Sequence, residues 1–188
     1  HLKWKGDFEN QVRATKTLQM VVPISLTVIF FILYLTFGTF RDAGLVFLNV
    51  PFAIIGGSIA LLITGTNFSI SAGIGFIALF GICVQDAVII ISAFKENLLE
   101  NMSLEKSIRE GVESRIRPVV MTAMMGTFGL LPAAISTGIG SESQKPLAIV
   151  VIGGLVSAAI LTLFIFPLIF EFVYKKKIKK DTLKKMKG

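Results

Sequence analysis

Residues 71–94 have the sequence SAGIGFIALFGICVQDAVIIISAF, an apolar run of twenty-four residues in which Asp86 is the only charged side chain. A helix needs about twenty predominantly apolar residues to cross the hydrocarbon core of a bilayer. A surface helix of a water-soluble protein would instead carry polar residues at every turn. This stretch therefore predicts a transmembrane helix.

Four further apolar runs accompany it. Only 16% of all residues are charged, and the charges fall mainly between the runs, because a charge inside hydrocarbon is costly. The predicted spans are residues 17–37, 43–64, 68–94, 118–141 and 146–174. Close helix packing is expected at small residues, which let two backbones approach: Gly56, Gly57, Gly153 and Gly154. The predicted fold class is an all-α membrane protein with five transmembrane helices.

Lysine and arginine are concentrated in two segments, with five in residues 95–117 and eight in residues 175–188. The positive-inside rule predicts that both segments are cytoplasmic, and five spans then put the N-terminus outside. The net charge of +7 thus indicates contact with anionic lipid rather than with nucleic acid. An odd number of spans with an outside N-terminus and no signal peptide suggests a fragment whose earlier spans are missing.

Residues 103–116 are expected to form a short amphipathic helix. Apolar side chains recur there at every fourth position, which is the helical period: Leu104, Ile108, Val112 and Ile116. Ser103 is a suitable N-cap, and Pro118 is suited to begin the fourth span. We expect this helix to lie on the cytoplasmic membrane surface.

Asp86 is the one ionisable side chain deep within a predicted span. Intramembrane carboxylates are rare, and they usually form pairs or relay protons. Burial disfavours the charged form, which suits a proton carrier. The alternative is a structural hydrogen bond between helices, and the sequence leaves both readings open. Gln85 beside it, taken alone, indicates an interhelical hydrogen bond.

Arg115 and Thr122 lie seven residues apart, which puts them on one face of a helix, two turns apart. The fourth span can thus present a cation near the surface and a hydroxyl deeper in the membrane. Alternatively, Arg115 and Arg117 are simple positive-inside anchors. A methionine face on the same span could bind a soft ion, although methionine is more often a packing residue: Met121, Met124 and Met125.

Several classes of protein are excluded by the residues that the chain contains. Cys83 is the only cysteine and His1 the only histidine, so an internal disulfide and a histidine-based metal site are ruled out. The sequence has no P-loop and no nucleophile-elbow motif. An aspartyl intramembrane protease would need a second buried aspartate. The sequence therefore indicates neither an enzyme nor a cofactor, and ATP is not the local energy source.

Five blocks of the chain resemble a known family. They are residues 6–23 (GDFENQVRATKTLQMVVP), 45–57 (LVFLNVPFAIIGG), 69–82 (SISAGIGFIALFGI), 114–123 (SRIRPVVMTA) and 136–155 (STGIGSESQKPLAIVVIGGL). In this order they resemble the C-terminal transmembrane region of the heavy-metal efflux branch of the resistance-nodulation-division (RND) transporters. The resemblance extends from about Trp4 to Tyr174, and the last block is most similar to the cobalt–zinc–cadmium type.

The resemblance implies a pump of the bacterial inner membrane, with twelve spans and two large periplasmic domains, that forms a homotrimer. A periplasmic adaptor protein and an outer-membrane channel join it, and inward proton flow drives the export of divalent heavy-metal cations. This chain then supplies the last five spans and packs against the N-terminal half of the pump. Residues 1–16 would end the second periplasmic domain, and residues 175–188 would be a basic cytoplasmic tail.

The resemblance also implies site residues. Drug-exporting relatives place a lysine at Gln85, an asparagine at Asp86, and an arginine and a threonine at Arg115 and Thr122. Copper and silver exporters carry a glutamate at Gln85 and a lysine at Val119. This chain has neither, which argues against copper or silver. The proton-coupling candidates are therefore Asp86, Gln85, Arg115 and Thr122. Asp86 would replace an acid that these exporters carry one position earlier, about 100° away around the helix.

Two alternative functions remain open from the sequence. The first is a drug or lipid exporter of the same superfamily. The second is a non-transporting truncated remnant or a scaffold membrane protein.

Overall fold

The computed structural model describes the backbone of residues 2–138 and 140–185, and the side chains of residues 12, 13, 15–138 and 140–176. Within these residues the chain is helical and contains no β-strand. The helices are α1 (Leu2–Phe37), α2 (Phe40–Phe47), α3 (Asn49–Ile63), α4 (Ile70–Leu99), α5 (Leu104–Ile135) and α6 (Ser141–Lys185). The predicted all-α class is confirmed.

Among the described residues, five helical segments are long and apolar enough to cross a membrane. They are Thr15–Phe37, Phe40–Ile63, Ile70–Leu99, Leu104–Ile135 and Ser141–Lys176. The second segment consists of α2 and α3, which are divided at Leu48. The prediction of five transmembrane helices is therefore confirmed, and the chain is a membrane protein.

Local sequence explains where several helices begin and end. Ser69 caps α4, because its hydroxyl accepts a hydrogen bond from the Ala72 N–H at 3.3 Å. Gly38 and Gly65 follow α1 and α3 with φ angles of 63° each, a left-handed conformation that glycine adopts without steric cost. These turns are short, so consecutive spans run back alongside one another.

Glycines allow α3 and α6 to pack backbone against backbone. A methyl group added at Gly56 would lie 2.9 Å from the Gly153 carbonyl oxygen, and one added at Gly153 would lie 2.9 Å from the Gly56 carbonyl oxygen. The same two methyl groups would also clash with Ser157 and Ala60. Only glycine therefore fits at this crossing, as expected for small residues between membrane helices.

Helix α4 packs closely against the same pair of helices. Gly57 of α3 lies against the ring of Phe76, and Gly154 of α6 lies against the side chain of Leu79. Half of the most apolar part of α4 is buried, and the same fraction is buried in α6. Helices α3, α4 and α6 therefore form the packed centre of the bundle.

Burial is much lower in the first and fourth spans. Only 6% of the most apolar part of α1 is buried, and the figure for α5 is also 6%. Large apolar side chains on these helices are exposed, among them Phe31 at 60% and Phe128 at 63%. A helix that is apolar on its exposed side needs lipid or other helices around it.

The structure differs from the sequence prediction at residues 103–116. This segment is continuous with the fourth span in α5, which passes through Pro118 without ending. A proline inside a membrane helix is tolerated when its surroundings satisfy the freed backbone group. The apolar stripe also contacts protein: Ile108 is buried, and Gly111 lies against the ring of Phe94.

The helices also extend beyond the predicted spans at both ends of the chain. Helix α1 begins at Leu2, so residues 2–16 are helical, and α6 continues to Lys185 within the basic tail. Lysine, arginine and glutamate are good helix formers. The charged residues at the ends of α1 and α6 therefore bound the apolar span of each helix, and they do not end the helix itself. Residues 186–188 of the predicted tail lie outside the described part.

Candidate functional site

Asp86 lies on the inner side of α4, and only 5% of the residue is exposed. Among the described residues, no hydrogen bond or ion pair to its carboxylate is found. Gln85 precedes it in the same helix but is exposed, because one residue turns the side chain by about 100°. The structure therefore separates these two predicted candidates onto different faces of α4.

A buried amide lies close to this part of α4. Asn49, the first residue of α3, is 0% exposed, and its Nδ2 donates hydrogen bonds to the Thr162 Oγ1 at 2.8 Å and to the Cys83 carbonyl oxygen at 3.3 Å. Its Oδ1 is buried without a partner among the described residues. We call Asn49, Thr162, Asp86 and the Cys83 carbonyl the polar layer. It joins α3, α4 and α6 inside the bundle.

A second polar cluster lies at the end of the bundle where α1, α4 and the apolar part of α6 end. The Asp42 carboxylate is buried, and it accepts hydrogen bonds from Lys95 Nζ at 2.8 Å and from the Tyr174 hydroxyl at 3.0 Å. Lys95 Nζ also lies 5.2 Å from the centroid of the Phe37 ring, within the range of a cation–π contact. A cavity of about 90 Å³ adjoins the cluster, with Arg41 on its wall.

Apart from Asp86, sequence reasoning missed the residues of both groups. Asn49 is a single neutral residue in an apolar run, and Thr162 is an ordinary residue of a span, so neither gives a signal of its own. Asp42 and Lys95 could have been found, because the predicted topology places the end of the first span and the end of the third on one side. Their opposite charges at one membrane boundary then suggest an ion pair.

The other two predicted proton-coupling candidates lie on α5. Arg115 is half-buried, and its Nε is a buried donor without a partner in the described part of the chain. Thr122 is half-buried, and its hydroxyl donates to the Pro118 carbonyl oxygen at 3.0 Å. No hydrogen bond or ion pair joins these residues to each other, to Gln85 or to Asp86 within the described residues. Their role in proton coupling stays a prediction.

Metal-ligating side chains do not cluster in the part of the chain that the structure describes. No group of three or more histidine, cysteine, aspartate or glutamate residues there could hold a metal ion. The methionines of the fourth span are on its exposed side: Met121 at 56%, Met124 at 51% and Met125 at 64%.

Comparisons with known proteins agree with this architecture. The model of the AcrB/AcrD/AcrF family matches residues 1–174. The cobalt-zinc-cadmium resistance protein CzcA of Cupriavidus metallidurans is 42% identical over 93% of this chain and 16% of its own length. The nickel and cobalt resistance protein CnrA of the same organism is 44% identical over 94% of this chain and 16% of its own length.

A solved structure shows the same arrangement of helices. The crystal structure of a heavy metal efflux pump superimposes with a TM-score of 0.80 at 39% identity, over 89% of this chain and 17% of that one. The chain thus spans about one sixth of the length of these relatives.

Proposed function

Because this chain belongs to the AcrB/AcrD/AcrF family of transporters, we propose that it forms the C-terminal membrane region of a proton-driven exporter of divalent heavy-metal cations. The observation that carries the proposal is the identity of 42% and 44% to two metal-resistance proteins over more than nine-tenths of the chain. Metal export is a property of the whole assembly, since the chain corresponds to about one sixth of each relative.

The partners follow from the faces that this chain leaves uncovered. Helices α1 and α5 each have 6% of their most apolar part buried, which supports contact with helices of the N-terminal half of the pump or with lipid.

The assembly we propose is a homotrimer that joins a periplasmic adaptor protein and an outer-membrane channel. It lies in the inner membrane, with the N-terminus of this chain in the periplasm and its lysine-rich C-terminus in the cytoplasm.

The contribution of this chain to energy coupling is the uptake and release of a proton by Asp86. Its burial and its lack of a cationic partner support this role, because an intramembrane carboxylate without a counter-charge favours its neutral form. Gln85 is exposed in this bundle, and Arg115 and Thr122 are only half-buried. We propose that they complete the relay together with groups of the N-terminal half.

A chimeric pump tests the proposal. Residues 1–174 of this chain replace the matching region of CzcA, and growth on cobalt, zinc and cadmium is measured in a metal-sensitive host. A second chimera, which carries the matching region of CnrA instead, is the control. It shows whether CzcA still functions when this region comes from another protein. We expect both chimeras to give resistance, and we expect Asp86→Asn to abolish it in the first.

Two outcomes would contradict parts of this proposal. If the control chimera gives resistance and this chain's chimera reaches the membrane in equal amount without giving any, then metal export is the wrong function. If the first chimera works and its Asp86→Asn variant works equally well, then Asp86 does not carry the coupling proton.

A further inference from the structure

We propose that Asn49 and Thr162 hold Asp86 in its protonated form, so that the polar layer is a proton-binding site within this five-span bundle. The inference rests on the proposed function only in identifying the bound proton with the one that drives export. Asn49 and Thr162 act as positioning residues, because they orient an acceptor for the acid rather than carry the proton.

The two unpartnered groups of the polar layer are chemically complementary. A protonated carboxyl group is neutral and offers one O–H donor, whereas an ionised one offers acceptors only. Within the described residues, Asn49 Oδ1 is a buried acceptor that lacks a donor. Asp86 is 5% exposed, and no hydrogen bond or ion pair reaches its carboxyl group there. A hydrogen bond from the protonated acid supplies the donor that the amide oxygen lacks, and an ionised carboxylate cannot supply it.

The helix geometry puts these groups at one height in the bundle. The carbonyl group of a helical residue points toward the N–H four residues later, so the Cys83 oxygen lies near the level of residues 86 and 87. Asn49 Nδ2 is 3.3 Å from that oxygen. Helical side chains tilt back toward the N-terminus, which brings the carboxyl of Asp86 toward the same level.

The Cys83 carbonyl fixes which end of the amide faces the acid, and the Thr162 hydroxyl accepts a second hydrogen bond from the same amide nitrogen. Both known contacts of the Asn49 Nδ2 are donations, one to the Thr162 hydroxyl oxygen and one to the Cys83 carbonyl oxygen. Turning the amide over would place its oxygen against the Cys83 carbonyl, which can only accept. The oxygen is therefore kept free as an acceptor.

The charges around Asp86 do not offer an alternative partner. On α4, the closest titratable group is the Cys83 thiol, one turn earlier, and Lys95 is nine residues farther along and bonded to Asp42 of α2. Helices α3 and α6 contribute the neutral Asn49 and Thr162 to the polar layer. No lysine or arginine of α1 or α5 is ion-paired with Asp86 among the described residues.

Infrared spectroscopy of the whole chain in lipid nanodiscs tests the site directly. We expect a carboxylic-acid C=O band at pH 7 that is absent from Asp86→Asn. We expect its frequency to shift in Asn49→Leu, because the acid loses its hydrogen-bond acceptor. Thr162→Val preserves the side-chain volume and removes one of the two acceptors that hold the Asn49 amide, so a smaller shift is expected. Ser92→Ala removes an exposed hydroxyl group from the same helix and should leave the band unchanged.

The outcomes separate this inference from the proposed function. Absence of an acid band at pH 7, or an unshifted band in both folded variants of Asn49 and Thr162, overturns the inference. Metal resistance of the chimera would stand in either case. The expected band pattern together with a chimera that gives no resistance would retain the site and reject only its use in export. Circular dichroism confirms that each variant is helical.

Discussion

Replacing Lys95 by methionine is expected to lower the free energy of unfolding by about 2–3 kcal/mol. The Asp42 side chain is 3% exposed and bonded to Lys95 Nζ at 2.8 Å. Removing one partner of a fully buried ion pair costs about 3–5 kcal/mol, whereas an exposed pair is worth about 0–1 kcal/mol. The Lys95 side chain is 33% exposed, so water replaces part of its contact and the expected loss falls between these ranges.

The assay is unfolding of the purified chain by sodium dodecyl sulfate in mixed micelles, followed by circular dichroism. Lys106→Met is the matched control, because Lys106 and Glu110 are 62% and 42% exposed and 3.6 Å apart. That variant should lose less than about 0.5 kcal/mol. Asp42→Asn introduced into the Lys95→Met variant should restore part of the loss, since no buried charge is then left unpaired. Equal stability of the two lysine variants would refute the reasoning.

Two further predictions concern packing and orientation. Gly153→Val should destabilise the chain by about 1–3 kcal/mol in the same assay, because the added carbons would force α3 and α6 apart. Gly129→Val, where an added methyl group has no neighbour within 4 Å, is its control, and an equal loss in both would contradict the packing argument. A cysteine replacing Glu113 should resist a membrane-impermeant thiol reagent in intact cells, whereas one replacing Asn67 should react; the reverse pattern would invert the proposed topology.

The sequence was sufficient to predict the number of spans, because lipid imposes one composition on every segment that crosses it. The continuity of α5 could not be predicted in the same way. Residues 103–116 are amphipathic, and an apolar stripe can face lipid or protein equally well. Whether the stripe faces lipid or protein depends on Phe94 of α4, because the ring of Phe94 packs directly against Gly111.

The candidate site was predicted only in part. Asp86 stood out because a carboxylate is rare in an apolar run, and the structure places it within the bundle. The resemblance grouped it with Gln85, but a shift of one residue along a helix changes the face on which a side chain lies. Its expected partner Asn49 donates to Thr162, 113 positions later in the chain, and no local pattern reports a contact over that separation.

The continuity of α5 has a mechanical consequence. Its 32 residues measure about 48 Å at 1.5 Å per residue, which is more than the 30 Å or so of bilayer hydrocarbon. About one third of this rod therefore projects from the membrane while remaining stiffly joined to the part inside. A force applied to the projecting end would tilt the whole rod or bend it at Pro118, where the backbone lacks a donor. A force on α5 at that membrane surface can thus be transmitted to the interior of the membrane.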